Sequence, residues 1–177
     1  MSYATAAKWS IAFAIAIGGS YGFAGKGPDV LRSLSDEARK RVYLLVPDGV
    51  EVLQAGTRRR IARVTLPGWI WADEPYSCPP DIALAPEGGV LVTSNVVPVI
   101  WRIDPTTLAT TRHELSLDQD SDKDVGFTRL RWSSELRVFV AITDSGSRWH
   151  IDRSLSQARK VAAPRAGHSA LSCESGR

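Results

Sequence analysis

The sequence predicts an all-β fold: a partial β-propeller of about three four-stranded antiparallel blades. Three observations carry this. First, two stretches repeat each other at a spacing of 48 residues without a gap. Ile82 to Glu87 lies against Leu130 to Glu135, Leu91-Val92 against Phe139-Val140, and Trp101-Arg102-Ile103-Asp104 against Trp149-His150-Ile151-Asp152. A period of that size is the signature of a propeller blade. Second, short β-rich runs are punctuated by turn residues, among them Pro47-Asp48-Gly49, Ala55-Gly56-Thr57, Glu87-Gly88-Gly89 and Asp144-Ser145-Gly146. Such punctuation marks hairpins. Third, no stretch beyond residue 24 keeps a helical period over three turns. Only Val30 to Arg41 offers a short helix in competition with a strand.

The elements follow in order. Residues 1–24 read as an export signal: Lys8 is the only charge, an apolar run spans Trp9 to Ile17, and Gly22 and Ala24 precede Gly25. The run is shorter than the roughly 20 residues a bilayer-spanning helix needs. A periplasmic or secreted protein is therefore expected, with blades at about 28–66, 81–116 and 127–162 within 25–163, and a C-terminal tail over 164–177. In the first blade a polar turn at Ser35 to Arg41 feeds the strand Val42-Tyr43-Leu44, and Val50 to Leu53 alternates. The second blade places strands near 81–85, 89–94, 98–103 and 110–116. The third places them near 127–132, 137–143, 147–151 and 157–162. Asp104 and Asp152 end the third strand of their blades, where a carboxylate can accept backbone N–H groups of the next turn. Gln54 takes that place in the first blade. Trp101, Trp132 and Trp149 sit at repeat positions and are expected in the core.

Ser35 to Leu44 with Val50 to Val64, and Leu84 to Thr93 with Val99 to Arg112, resemble the YVTN-type repeat of exported bacterial β-propellers. In that repeat a turn and strand precede a hairpin that ends near an Asp. The third unit, Trp132 to Val161, follows the spacing more than the letters. The resemblance spans about residues 30–162 and implies a propeller fold without naming an activity. Family members have about seven blades, so three units imply completion by a partner. That partner is a second copy forming a six-bladed ring or another periplasmic protein; otherwise the units adopt a different compact β-structure.

Composition narrows the function classes. The formal charge is +3, basic and acidic residues are interspersed, and no nucleic-acid motif occurs. Nucleic acid is not an expected partner. In an oxidising compartment Cys78 and Cys173 allow a single intramolecular disulfide, the alternative being two free thiols.

Asp118, Asp120, Asp122 and Asp124 place carboxylates at alternate positions, as calcium loops do, although Lys123 and Arg129 occupy the Gly and Glu positions of an EF-hand. A looser Ca²⁺ site and a solvated connection are the two readings. Arg58-Arg59-Arg60 with Arg63 reads as a charged hairpin edge or a dock for an acidic partner. The long connection from Trp69 to Pro80 holds Trp69, Trp71, Asp73, Glu74 and Tyr76, a partner- or ligand-binding surface if its aromatics are not packed between blades. No catalytic residue is assigned: His113, His150 and His168 are isolated, and no nucleophile elbow or metal spacing occurs. His150 and Asp152 share one side of a predicted strand.

The expectation is an exported binding or scaffold module acting through protein–protein contacts, without cofactor unless Ca²⁺ binds. The alternative is an enzyme or small-ligand binder whose channel site forms on assembly.

Overall fold

The computed structural model describes residues 29–118 and 126–162, and these residues are all β. The first sheet holds β1 (Arg32–Asp36), β2 (Arg41–Val46), β3 (Gly49–Gln54) and β4 (Arg60–Val64). The second holds β5 (Ile82–Leu84), β6 (Val90–Thr93), β7 (Val99–Ile103) and β8 (Thr110–Glu114). After β9 (Ser116–Leu117), the third holds β10 (Arg129–Ser133), β11 (Val138–Ile142), β12 (Arg148–Ile151) and β13 (Gln157–Val161). Each sheet is a four-stranded antiparallel meander in chain order, and the first strands of the three lie side by side, β1 next to β5 and β5 next to β10.

Two expectations need correction. The segment Val30 to Arg41 contains no helix: β1 is closed by a turn in which buried Asp36 accepts the Arg39 N–H and its guanidinium, both at 3.1 Å. The outer strand of the second blade stops at Glu114. Leu115 is buried, and β9 then crosses to pair parallel with β13, giving the third sheet a fifth strand. That short strand covers part of an outer edge that would otherwise be free to pair with another chain.

Two apolar layers separate the three sheets. Tyr43, Leu45, Val50 and Val52 of the first meet Val90, Val92, Trp101 and Ile103 of the second. Ala83, Leu91 and Ile100 of the second meet Leu130, Phe139, Trp149 and Ile151 of the third. Trp101 and Trp149 are completely buried. A fully buried large apolar side chain stabilises by about 1.5–3 kcal/mol, whereas an exposed ion pair contributes at most about 1 kcal/mol. Packing between sheets therefore outweighs the surface ion pairs. Trp132 departs from the expected core role. It is half-buried, meeting Phe139 edge-on with ring centroids 4.9 Å apart.

The repeat is out of step at one place. Ile82 pairs with Val92, and Val92 with Trp101; in the third blade Leu130 pairs with Ala141, and Ala141 with Trp149. The outer members of each trio are 48 apart, but Val92 corresponds to Ala141, one residue further on. The first hairpin of the third blade is one residue longer and its second one shorter. The left-handed turn residue moves with it, from Gly88 (φ 89°) to Arg137 (φ 54°). Because side chains alternate along a strand, this slip reverses the faces of matching letters. Leu91 points at the third blade, whereas Phe139 points back at the second.

The same correspondence places Glu51 of β3 where Trp101 and Trp149 stand. Leu44 pairs with Glu51 and Val42 with Leu53, all facing away from the second blade. Arg60 bridges Glu51 at 3.3 Å.

Candidate functional site

The connection from the first to the second blade runs across all three. Trp69 packs on the layer between the first two blades and stacks on Trp71, with ring centroids 6.3 Å apart. Trp71 Nε1 donates to the Pro47 carbonyl at 3.0 Å in the β2–β3 turn of the first blade. In the second blade the buried Asn95 accepts the Ala72 N–H at 3.1 Å and donates to the carbonyls of Ala72 and Cys78, at 2.6 and 3.1 Å. Ser94 Oγ donates to the Ile70 carbonyl at 2.6 Å. In the third blade Asp144 Oδ1 accepts the N–H groups of Ser77 and Cys78, each at 3.0 Å.

The five expected surface residues thus divide. Trp69 and Trp71 fasten the connection, Tyr76 is half-buried, and Asp73 and Glu74 are exposed beside exposed Ile70. Cys78 is not a free thiol; Cys173 lies outside the described residues. Sequence reasoning did not single out Ser94 or Asn95 and read Asp144 only as a turn residue, although Ser94-Asn95 and Asp144-Ser145 are polar pairs at strand ends that a hydrogen-bond accounting would flag.

A second feature lies at the inner edges, where a cleft of about 480 Å³ is lined by residues of β1, β5 and β10. Asp81, 4% exposed, accepts the Leu130 N–H at 2.8 Å and the Arg131 guanidinium at 2.9 Å. Arg131 Nη1 also donates to the Leu130 carbonyl at 2.7 Å. The Asp81 N–H donates to Thr93 Oγ1 at 2.8 Å, and that hydroxyl donates to the Phe127 carbonyl at 2.7 Å. Arg32, Arg129 and Arg131 all line the cleft, with Trp132 beside them. The sequence signal was present but unread, since Asp81 and Arg129 open adjacent repeats 48 residues apart with opposite charges.

The turn carboxylates act as anticipated. Asp104 Oδ1 accepts the N–H groups of Thr106 and Thr107 at 2.8 and 2.7 Å, and those bonds, the Thr107 backbone foremost, hold its carboxyl below the usual range. Asp152 Oδ1 accepts the Ser156 and Gln157 N–H groups at 2.9 and 2.6 Å. Partial burial raises its pKa, but hydrogen bonds from Ser154, Gln157 and Ser156 prevail and bring it down to about 2. Asp152 is thus engaged with its own turn, while His150 pairs across strands with Val140 and Arg159. His113 is held below its ordinary pKa by burial and then by Arg102. Among the described residues no three His, Cys, Asp or Glu side chains are grouped to hold a metal. Asp118 Oδ1 accepts the Lys160 N–H at 3.0 Å; Asp120, Asp122 and Asp124 lie outside the described residues. No helix among the described residues is long and apolar enough to cross a membrane.

No family model matches the chain, and no curated protein does. Solved structures do. The extracellular domain of a putative one-component system from B. thetaiotaomicron superposes over 77% of this chain with a TM-score of 0.54 at 13% identity. Hydrazine synthase from Kuenenia stuttgartiensis superposes over 73% with a TM-score of 0.52 at 19% identity. The matches span 17% and 36% of those longer chains. At such identities the likeness concerns the fold, and it agrees with three propeller-type blades.

Proposed function

We propose that this protein is an exported binding or scaffold module that works through protein contacts, and that its first contact is with a second copy of itself. The observation that carries this is the chemistry of the two outward sheet faces. On the first blade, Val42, Leu44 and Leu53 point outward and are half-buried; on the third, Val138, Val140 and Ile142 do the same. Continuing the blade-to-blade relation would set the outer face of the first blade against the outer face of a partner's third blade. Glu51 then stands at the Trp101 position, facing the level of His150 and Arg148. Two such contacts related by a twofold axis make six blades, within the four to eight of closed propellers. The long connection keeps the three blades one body, so that both faces are presented together.

Export is supported by the apolar segment before Gly25 and by the likeness to an extracellular domain. The Cys78–Cys173 disulfide belongs to the same reading, supported by Cys78 not being a free thiol.

Charge reversal tests the contact. Glu51→Arg and Arg148→Glu each convert a dimer into monomers in sedimentation velocity, with unchanged far-UV circular dichroism, and the double variant re-forms the dimer. A dimer indifferent to both single changes contradicts the proposal. Arg60 is mostly exposed but the Glu51 side chain only 13% so, and the unchanged circular dichroism is therefore the control that separates a lost contact from a lost fold.

A further inference from the structure

We propose that the cleft at the inner edges of the blades binds a small anionic ligand, a carboxylate or phosphate on a flat apolar body. Arg131 and Arg32 hold the anion, and Trp132 forms the apolar wall. The cleft lies within the roughly 300–1,000 Å³ typical of small-ligand sites. Among its lining residues the one carboxylate, Asp81, is engaged by Arg131, and Arg32 brings a further guanidinium to the same cleft.

Arg131 is oriented for the task. Asp81 is buried and fixed, and it engages Nη1 alone, as does the Leu130 carbonyl. A guanidinium has five donors in a rigid fork, so Nε and Nη2 remain for a ligand. The Arg131 side chain is 71% exposed, so its charge stands at the cleft mouth. Arginine's fork matches carboxylate and phosphate oxygens in pairs, which a lysine does not reproduce. The Arg32 side chain makes no hydrogen bond or ion pair to another described residue, although it lines the same cleft. Val30 and Leu34 add apolar lining, and the half-buried Trp132 offers a ring for a flat ligand body. Were the Arg131–Asp81 pair only a tie between blades, Arg32 and Trp132 would have no part in binding.

Isothermal titration calorimetry of the full chain with phenyl phosphate and with benzoate tests this. At least one binds, and whichever binds more tightly identifies the anion class. Arg131→Gln and Arg32→Gln each weaken that binding about tenfold, the loss of one charge-assisted hydrogen bond. Arg131→Lys falls between. Arg32→Gln and a Trp132→Leu variant, which weakens both aromatic probes, keep the test valid if Arg131→Gln fails to fold. Binding of neither probe, or binding unchanged by Arg32→Gln, overturns the proposal.

Discussion

Asp144, in the β11–β12 turn of the third blade, accepts the backbone N–H of Cys78 at 3.0 Å, in the connection that leaves the first blade. The same oxygen takes the Ser77 N–H, so one carboxylate satisfies two donors of a chain that has crossed two blade boundaries. A hydrogen bond to a charged group contributes about 1.5–3 kcal/mol, less where solvent reaches it. Asp144→Ala is therefore expected to lower unfolding free energy by about 1–2 kcal/mol. In hydrogen exchange it should release the Ser77 and Cys78 amides while β2 and β3 keep their protection. An unchanged urea midpoint would show that the connection is held without it.

Gly126 rests directly on the backbone of Asn95 and Val96, and a Cβ there would overlap main-chain atoms that cannot swing aside. The adjacent Phe127 N–H donates to the Ser94 carbonyl at 2.6 Å, locking the approach of second and third blades. Gly126→Ala should cost about 3 kcal/mol or more, since overpacking against backbone has no cheap relief. Chemical denaturation measures it. A loss below about 1 kcal/mol would mean the two segments separate freely.

The first hairpins of the three blades each place one residue in the left-handed region: Lys40 (φ 53°), Gly88 (φ 89°) and Arg137 (φ 54°). Only the second is glycine. A left-handed non-glycine residue costs about 1–2 kcal/mol, while glycine adds about 0.5–1 kcal/mol of unfolded-state entropy. Lys40→Gly and Arg137→Gly should each stabilise by up to about 1 kcal/mol. Both side chains are exposed, so little packing is lost. Thermal melts that fall for both variants would refute the argument.

Asp152 supplies a pH dependence with a definite sign. Its folded pKa, about 2, lies below the ordinary 3.8. A carboxylate depressed on folding adds stability that is complete above the unfolded value and disappears as pH falls through the folded one. Stability should therefore decline between about pH 4 and pH 2, and Asp152→Asn should flatten part of that decline. Much of the group is open to solvent, which limits the size of the effect. Identical slopes for wild type and variant would remove Asp152 from the account.

Much of the fold was legible because blade strands are short, local and bounded by turn residues. The strands around Val90, Val99, Val138 and Arg148 fall within a residue or two of their expected limits, and the Asp104 and Asp152 turns form as their side-chain chemistry requires. Three features escaped for a common reason: they depend on contacts distant in sequence. The parallel pairing of β9 with β13 depends on where Leu115 finds its burial. The shift that sets Phe139 against Leu91 is invisible in an ungapped match, because one hairpin gains the residue another loses. The Asp81–Arg131 pair joins residues 50 apart. Of the connection's residues, sequence pointed to the right segment without separating the fastening tryptophans, Trp69 and Trp71, from the exposed carboxylates of Asp73 and Glu74.

Two outward faces with half-buried valines, leucines and isoleucine define the central claim, that three blades meet three more. Light scattering coupled to size exclusion, on the full chain over micromolar concentrations, measures it most directly. The account predicts a mass twice that of the single chain, constant across the peak. A mass equal to one chain throughout that range would contradict it.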